Sequence, residues 1–194
     1  MSSNKRNEDV VREGQVTYEM YAEMPDDGQR YEVIDGVLEM MPPGVTTTHQ
    51  VIARELLMLL AGSCRSDYIV LFAPLDVILT RTNVLQPDVL MVHRSRSAIV
   101  TNRGIEGVPD LVVEILSPST RKRDKVVKSK VYAKHGVPEY WMIDPLTKTL
   151  EQYGLTDGGY YELENEFGGE DVVASDKLPC VSFPVSKLFA EMWQ

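Results

Sequence analysis

Hydrophobic and polar positions along the chain change period several times, and each change marks an element. Two β-like runs, YEVI and VLEMM, meet at Asp35-Gly36, and a DG pair between such runs predicts a tight hairpin. A short helix is expected just upstream, within YEMYAEM. Ile52, Leu56, Leu59 and Leu60 share one face of a helix predicted from about His49 to Leu60, capped by Thr46 to Thr48 and stopped by Gly62. Three strands should follow: Tyr68 to Leu79, broken near Pro74, then Gln86 to His93, then Asp110 to Leu116. The last two are nearly continuous in Val, Leu and Ile, as expected of strands buried on both faces. After Ser117-Pro118-Ser119-Thr120 a helix should run to His135 and stop at Gly136. Tyr140 to Ile143 reads as a strand closed by Asp144-Pro145, and TLEQYGL, YYELE and DVVAS as antiparallel strands on the sheet edge. The pattern is α/β: a mixed β-sheet flanked by helices, with an N-terminal hairpin and C-terminal antiparallel edge strands. Residues 1–15 read as a flexible leader and 16–194 as one domain.

Composition narrows the class. The chain has 194 residues, 43% hydrophobic and 25% charged, which is enough to bury a core without metal or disulfide support. No apolar run approaches the roughly 20 residues that span a bilayer, and the polar start MSSNKRNEDVVREGQ lacks the apolar centre of a secretory signal. Cys64 and Cys180 lack the spacing of a zinc site, so a cytoplasmic protein with two reduced thiols is expected.

Charge is uneven. The net value is −9, which argues against coating nucleic acid by bulk electrostatics. Yet Arg121 to Lys134 holds seven basic residues and one acid, while Glu151 to Asp176 holds eight acids and no base. The basic window is either a local phosphate-binding face or a solvated helix face.

Two acids stand where acids are costly. Asp88 interrupts PDVLMV and Glu114 interrupts LVVEIL, both otherwise apolar. A buried carboxylate must be paired, hydrogen-bonded or bound to metal. Two of them in neighbouring strands suggest a site for a hard divalent cation, with buried ion pairs as the other reading. On the following helix Asp124, Lys128 and Tyr132 fall at i, i+4 and i+8 and share a stripe. Lys128 at its edge could reach the carboxylates or simply pair with Asp124. Glu32 is either a further acid at the site or an exposed hairpin residue. His49 is a cap, a packed imidazole or a base, and Ser117 is best read as a helix cap. Tyr132, Tyr140 and Trp141 read as core.

The order Pro87-Asp88, then Glu114 in LVVEILSPST, then Asp124-x-x-x-Lys128-x-x-x-Tyr132, then HGVPEYWMIDP resembles the Uma2 family (DUF820), restriction-endonuclease-like proteins of the PD-(D/E)XK nuclease superfamily. The resemblance covers about Tyr31 to Leu155 and includes YEVIDG and the helix opening at His49. It implies a restriction-endonuclease-like fold and a divalent-metal-dependent phosphodiesterase cutting DNA. Asp88 and Glu114 would hold Mg²⁺ or Mn²⁺, and Lys128 would assist water activation or stabilise transition-state charge. The chain departs from the superfamily pattern at Leu116, where a lysine is expected two residues after the glutamate. Lys128 is taken as its replacement, with Lys125 as the competitor. Arg121, Lys122 and Lys125 could hold phosphate, and a homodimer is expected by analogy with nucleases that cut both strands. Two alternatives stay open: a catalytically silent oligomeric binding or assembly module, and a phosphodiesterase acting on RNA or nucleotides.

Overall fold

The computed structural model describes residues 12–42 and 44–192; the rest of the expected leader, residues 1–11, lies outside them. The chain opens with α1 (Tyr18–Ala22), then β1 (Tyr31–Ile34) and β2 (Val37–Met40), an antiparallel hairpin with Ile34 opposite Val37. Both turn residues, Asp35 and Gly36, have positive φ, which is what the tight two-residue turn requires and why DG marked it. Helix α2 (Thr47–Cys64) starts at Thr46, whose side chain accepts the His49 backbone N–H. It runs through Gly62 rather than stopping there. Leu60 and Cys64 are fully buried, so packing of the last turn outweighs the local helix-breaking preference.

Two six-stranded sheets follow. Strands β3 (Tyr68–Phe72), β6 (Val89–His93), β9 (Leu111–Ile115), β10 (Glu139–Asp144), β11 (Thr149–Leu155) and β12 (Tyr161–Gly168) form the larger one, in the order β12-β11-β10-β9-β6-β3. The other joins the hairpin to β4 (Val77–Thr80), β5 (Asn83–Leu85), β7 (Val100–Thr101) and β8 (Gly104–Ile105), in the order β2-β1-β5-β4-β8-β7. The run Tyr68 to Leu79 is thus split at Pro74 between two sheets. The DVVAS segment does not extend the large sheet; it forms β13 (Val172–Ala174), paired with β14 (Ser182–Pro184) apart from it.

The central strands of the large sheet, β6, β9 and β10, are buried on both faces. Met91, Val113, Trp141 and Ile143 pack against α2 and the C-terminal segment carrying Leu178, Val185 and Leu188. Val112, Leu116, Tyr140 and Met142 pack on the opposite face against Val131 and Tyr132. This explains the near-continuous apolar runs of β6 and β9. The expectation of two reduced thiols is corrected: docking the end of α2 on the C-terminal segment brings Cys64 and Cys180 to a Cα separation of 5.1 Å, and they form a disulfide. Among the described residues no helix is long and apolar enough to cross a membrane.

Candidate active site: acids around a buried lysine

Register explains why the two acids meet. Strands β6 and β9 are antiparallel, with Val89 opposite Val113, and one further step sets Asp88 beside Glu114 on the same face. Asp88 sits just before β6 rather than within it. Its backbone N–H donates to Val113 O at 3.1 Å, and its carbonyl accepts from Ala73 N–H at 3.0 Å. Half-buried Asp88 uses one oxygen, Oδ2, to accept the Ile115 N–H at 2.7 Å and to meet His49 Nε2 at 3.0 Å. Glu114 likewise uses Oε1, which accepts from Lys128 Nζ at 2.9 Å and from Tyr132 OH at 3.0 Å. The second oxygens, Asp88 Oδ1 and Glu114 Oε2, make no hydrogen bond among the described residues.

The lysine arrives from a helix of altered pitch. Residues Arg123–Lys128 are π-helical and continue into α3 (Ser129–Lys134), where a plain α-helix was expected. The Ser129 N–H reaches back five residues to Asp124 O, which also accepts from Tyr140 OH at 3.2 Å. Such π-turns recur at functional sites. Here the stretch directs both Asp124 and Lys128 inward, and both are buried. Lys128 Nζ lies 2.9 Å from Glu114 Oε1, 2.9 Å from Glu32 Oε1 and 3.8 Å from Asp124 Oδ1. Lys125 instead turns away to Glu151, at 2.8 and 2.9 Å, so the geometry brings Lys128 rather than its competitor to the acids.

Glu32 is neither an exposed hairpin residue nor turned toward open space. It is completely buried, accepts Gln86 N–H at 2.8 Å, and pairs with Lys128 and, through Oε2, with Arg123 at 2.6 Å. The hairpin register sets Glu32 opposite Glu39, and Arg123 bridges both, which relieves their repulsion. His49, on the buried face of the first turn of α2, points Nε2 at Asp88. Its Nδ1 is buried with no hydrogen-bond partner among the described residues. The arrangement therefore places the proton on Nε2, donated to Asp88.

Electrostatics follow from crowding. Burial holds the Glu114 carboxyl well above the usual range, opposed by Lys128 and reinforced by Asp124, Asp88 and Glu32. Asp124 is raised mainly by burial too. For Lys128, burial works against the ammonium, but Glu114, Glu32 and Asp124 outweigh it and raise its pKa above the ordinary lysine value. Its surroundings therefore favour the ammonium form. Carboxyl groups outnumber cations here: Glu32, Glu39, Glu114 and Asp124 share Lys128 and Arg123, beside a cavity of about 150 Å³ lined by Asp88, Glu114, Asp124, Lys128 and His49.

The remaining sequence candidates lie at the margin. Arg121 pairs with Asp144 at 2.7 Å, and Lys122 is exposed. Ser117 caps the following helix, its Oγ accepting Thr120 N–H at 3.2 Å. Three residues at the site escaped sequence reasoning: Arg123, Gln86 and the hydroxyl of Tyr132. Tyr132 carried a signal, its place in the Asp124–Lys128 stripe; Arg123 and Gln86 carried none.

Divalent-metal chemistry, implied by the family resemblance, can be tested against these donors. No group of three His, Cys, Asp or Glu side chains among the described residues forms a preformed metal cluster. Mg²⁺, however, is commonly held by one or two carboxylates with water and substrate phosphate completing its shell. Asp88 and Glu114, each with one uncommitted oxygen on a shared cavity, fit that mode.

The chain is similar over 90% of its length, at 20% identity and a TM-score of 0.72, to 98% of the crystal structure of "a putative nuclease belonging to DUF820" from Anabaena variabilis. At that identity the likeness concerns the fold, which is restriction-endonuclease-like. No curated protein matches the chain. The family model Uma2, described as "Putative restriction endonuclease", matches residues 18–186, nearly the whole of the two sheets and every residue of the acidic cluster; the chain belongs to the Uma2 family.

Proposed function

We propose that this protein is a divalent-cation-dependent phosphodiesterase that cuts DNA, with Asp88 and Glu114 holding Mg²⁺ or Mn²⁺. One observation carries the reading: two acids from adjacent strands each keep one oxygen uncommitted toward a cavity that a buried lysine also lines. A bound cation would offset the surplus of carboxylates, lower the pKa of a water and polarise the scissile phosphate. Lys128, held as an ammonium, stabilises charge developing on a phosphate oxygen rather than taking a proton. Lys128 Nζ donates to Glu114, stands 3.8 Å from Asp124, and lines the cavity that the substrate phosphate would enter. His49 orients Asp88, and Tyr132 and Glu32 orient Glu114 and Lys128. A homodimer belongs to the same reading, because two strands require two sites.

The test is calorimetric titration of Mg²⁺ and Mn²⁺ into wild type, Asp88→Asn and Glu114→Gln, paired with nicking of supercoiled plasmid. Wild type should bind and nick, and both variants should lose nicking by at least about 100-fold with weakened metal binding. Wild type that binds no metal at millimolar concentration and leaves plasmid intact refutes the reading. Cleavage of single strands, RNA or cyclic nucleotides in place of duplex DNA would move the substrate assignment, and light scattering reports the oligomeric state.

A further inference from the structure

Arg30 stands at the mouth of the acidic site and forms no ion pair with a carboxylate among the described residues. Its side chain is exposed, and its Nε and Nη2 donate to Gln86 Oε1 at 3.0 and 2.7 Å. Gln86 is itself fixed: its Nε2 donates to Asp76 Oδ1 at 2.8 Å, and its backbone N–H donates to Glu32. That orientation presents the amide oxygen to Arg30, so the guanidinium is aimed by a neutral group and meets Asp76 only at longer range. Among the described residues, Arg121, Arg123 and Arg54 are ion-paired, Arg121 with Asp144, Arg123 with Glu32 and Glu39, and Arg54 with Glu55 and Glu191.

Its position is informative. Arg30 lines the acidic cavity and also a second one of about 320 Å³, and both cavities reach Asp88 and His49. The second cavity is largely apolar beyond that junction, with Leu57, Pro74 and the exposed ring of Phe72. A guanidinium held by a neutral acceptor, beside carboxylates that repel anions, is the group that can admit a phosphate. An apolar surface carrying an exposed aromatic ring next to it suits a nucleobase rather than a second phosphate.

We propose that Arg30 is a substrate-phosphate-binding residue of this site, holding the phosphate that flanks the metal-bound one while the adjoining base lies against Phe72. The proposal rests on the phosphodiesterase reading for its substrate class but can fail separately. Gln86 and Asp76 are its positioning residues.

The experiment compares wild type, Arg30→Gln, Arg30→Lys and, as a control for loss of one surface charge, Lys187→Gln. Fluorescence anisotropy with a labelled oligonucleotide in Mg²⁺ gives binding across a salt series, and cleavage of the same oligonucleotide gives kcat and KM. Arg30→Gln should weaken binding and raise KM about tenfold, with a smaller fall in kcat. It should also reduce the slope of log K against log salt by about one. Arg30→Lys should recover part of the affinity, since it keeps the charge and loses the fork. Lys187→Gln should move neither. Unaltered affinity and salt slope in Arg30→Gln overturn the proposal and, if wild type cleaves, leave the phosphodiesterase reading standing. Wild type that binds without cleaving, with binding lost in Arg30→Gln, supports Arg30 and sinks the phosphodiesterase. Wild type that neither binds nor cleaves sinks both. If Arg30→Gln melts well below wild type, Arg30→Lys decides: weaker binding at an unchanged salt slope supports the proposal, and binding equal to wild type overturns it.

Discussion

Replacing Lys128 with methionine keeps most of the buried stem and removes the ammonium. Glu32, Glu114 and Asp124 then lose their shared counterion while all three remain buried. Removing one partner from a buried charge cluster costs about 3–5 kcal/mol. For a domain of this length that is a fall in Tm of about 6–20 °C at neutral to basic pH. The loss should depend on pH in a definite direction. Glu114 and Asp124 already have pKa values raised in the folded chain, and without Lys128 they rise further. An acid whose pKa is raised on folding binds more protons folded than unfolded. Its penalty is therefore absent below the unfolded value, grows as pH climbs past it, and is complete above the folded value. Moving from about pH 8 to about pH 5 should let the variant bury neutral carboxyls and narrow its gap to wild type by about 1–3 kcal/mol, because each tenfold change in proton affinity is worth about 1.4 kcal/mol. Urea unfolding of both proteins at the two pH values measures this directly. A gap under about 1 kcal/mol at pH 8, or one that does not change with pH, would show that the acids do not depend on Lys128 for charge balance, and the picture of the site would fail.

Two further outcomes follow from the same geometry. His49→Ala removes the proton that Nε2 donates to Asp88 and should cost about 10–100-fold in Mn²⁺ affinity or nicking rate, as loss of a partner behind a metal-binding carboxylate does; equal metal titrations in both proteins would make His49 merely packed. Reducing the Cys64–Cys180 bond, which links residues 116 apart, should destabilise the chain by about 4–5 kcal/mol on the loop-entropy model, read as a lower Tm with dithiothreitol present; an unmoved Tm would mean the bond constrains nothing in the unfolded chain.

What could be read in advance divides along the range of the forces involved. The hairpin at Asp35-Gly36, the Thr46 cap, the Gly136 stop and the both-faces-buried character of β6 and β9 rest on neighbours a few residues apart, and periodicity shows them. Asp88 and Glu114 were visible because a charge within an apolar run is costly wherever the chain goes. Long-range assembly is what stayed hidden. Nothing near Pro74 indicates that the two halves of Tyr68 to Leu79 join different sheets, and no spacing announces that Cys64 meets Cys180. Arg123 and Gln86 are ordinary polar residues in sequence. Their roles appear only once the hairpin lays Glu32 across the helix that carries Lys128.

The absence of a lysine two residues after Glu114 has a packing explanation. In the superfamily pattern the cation rises from the strand two residues after the glutamate, the same face and one pleat on. Here Leu116 occupies that place, and it is buried against Val131, Tyr132 and Tyr140. An ammonium there would sit in an apolar cluster while Glu114 is already held by Lys128, which is costly. The helix that supplies this apolar cover also supplies the charge: Val131 and Tyr132 seal Leu116, and one turn earlier Lys128 reaches across to Glu114 at 2.9 Å. Leucine on the strand and lysine on the helix are therefore coupled. Leu116→Lys alone should destabilise the protein, and combining it with Lys128→Met should cost less than the two single changes summed, because the new ammonium can then take the place of the lost one beside Glu114. Double-mutant unfolding free energies that simply add would show instead that the two positions are independent.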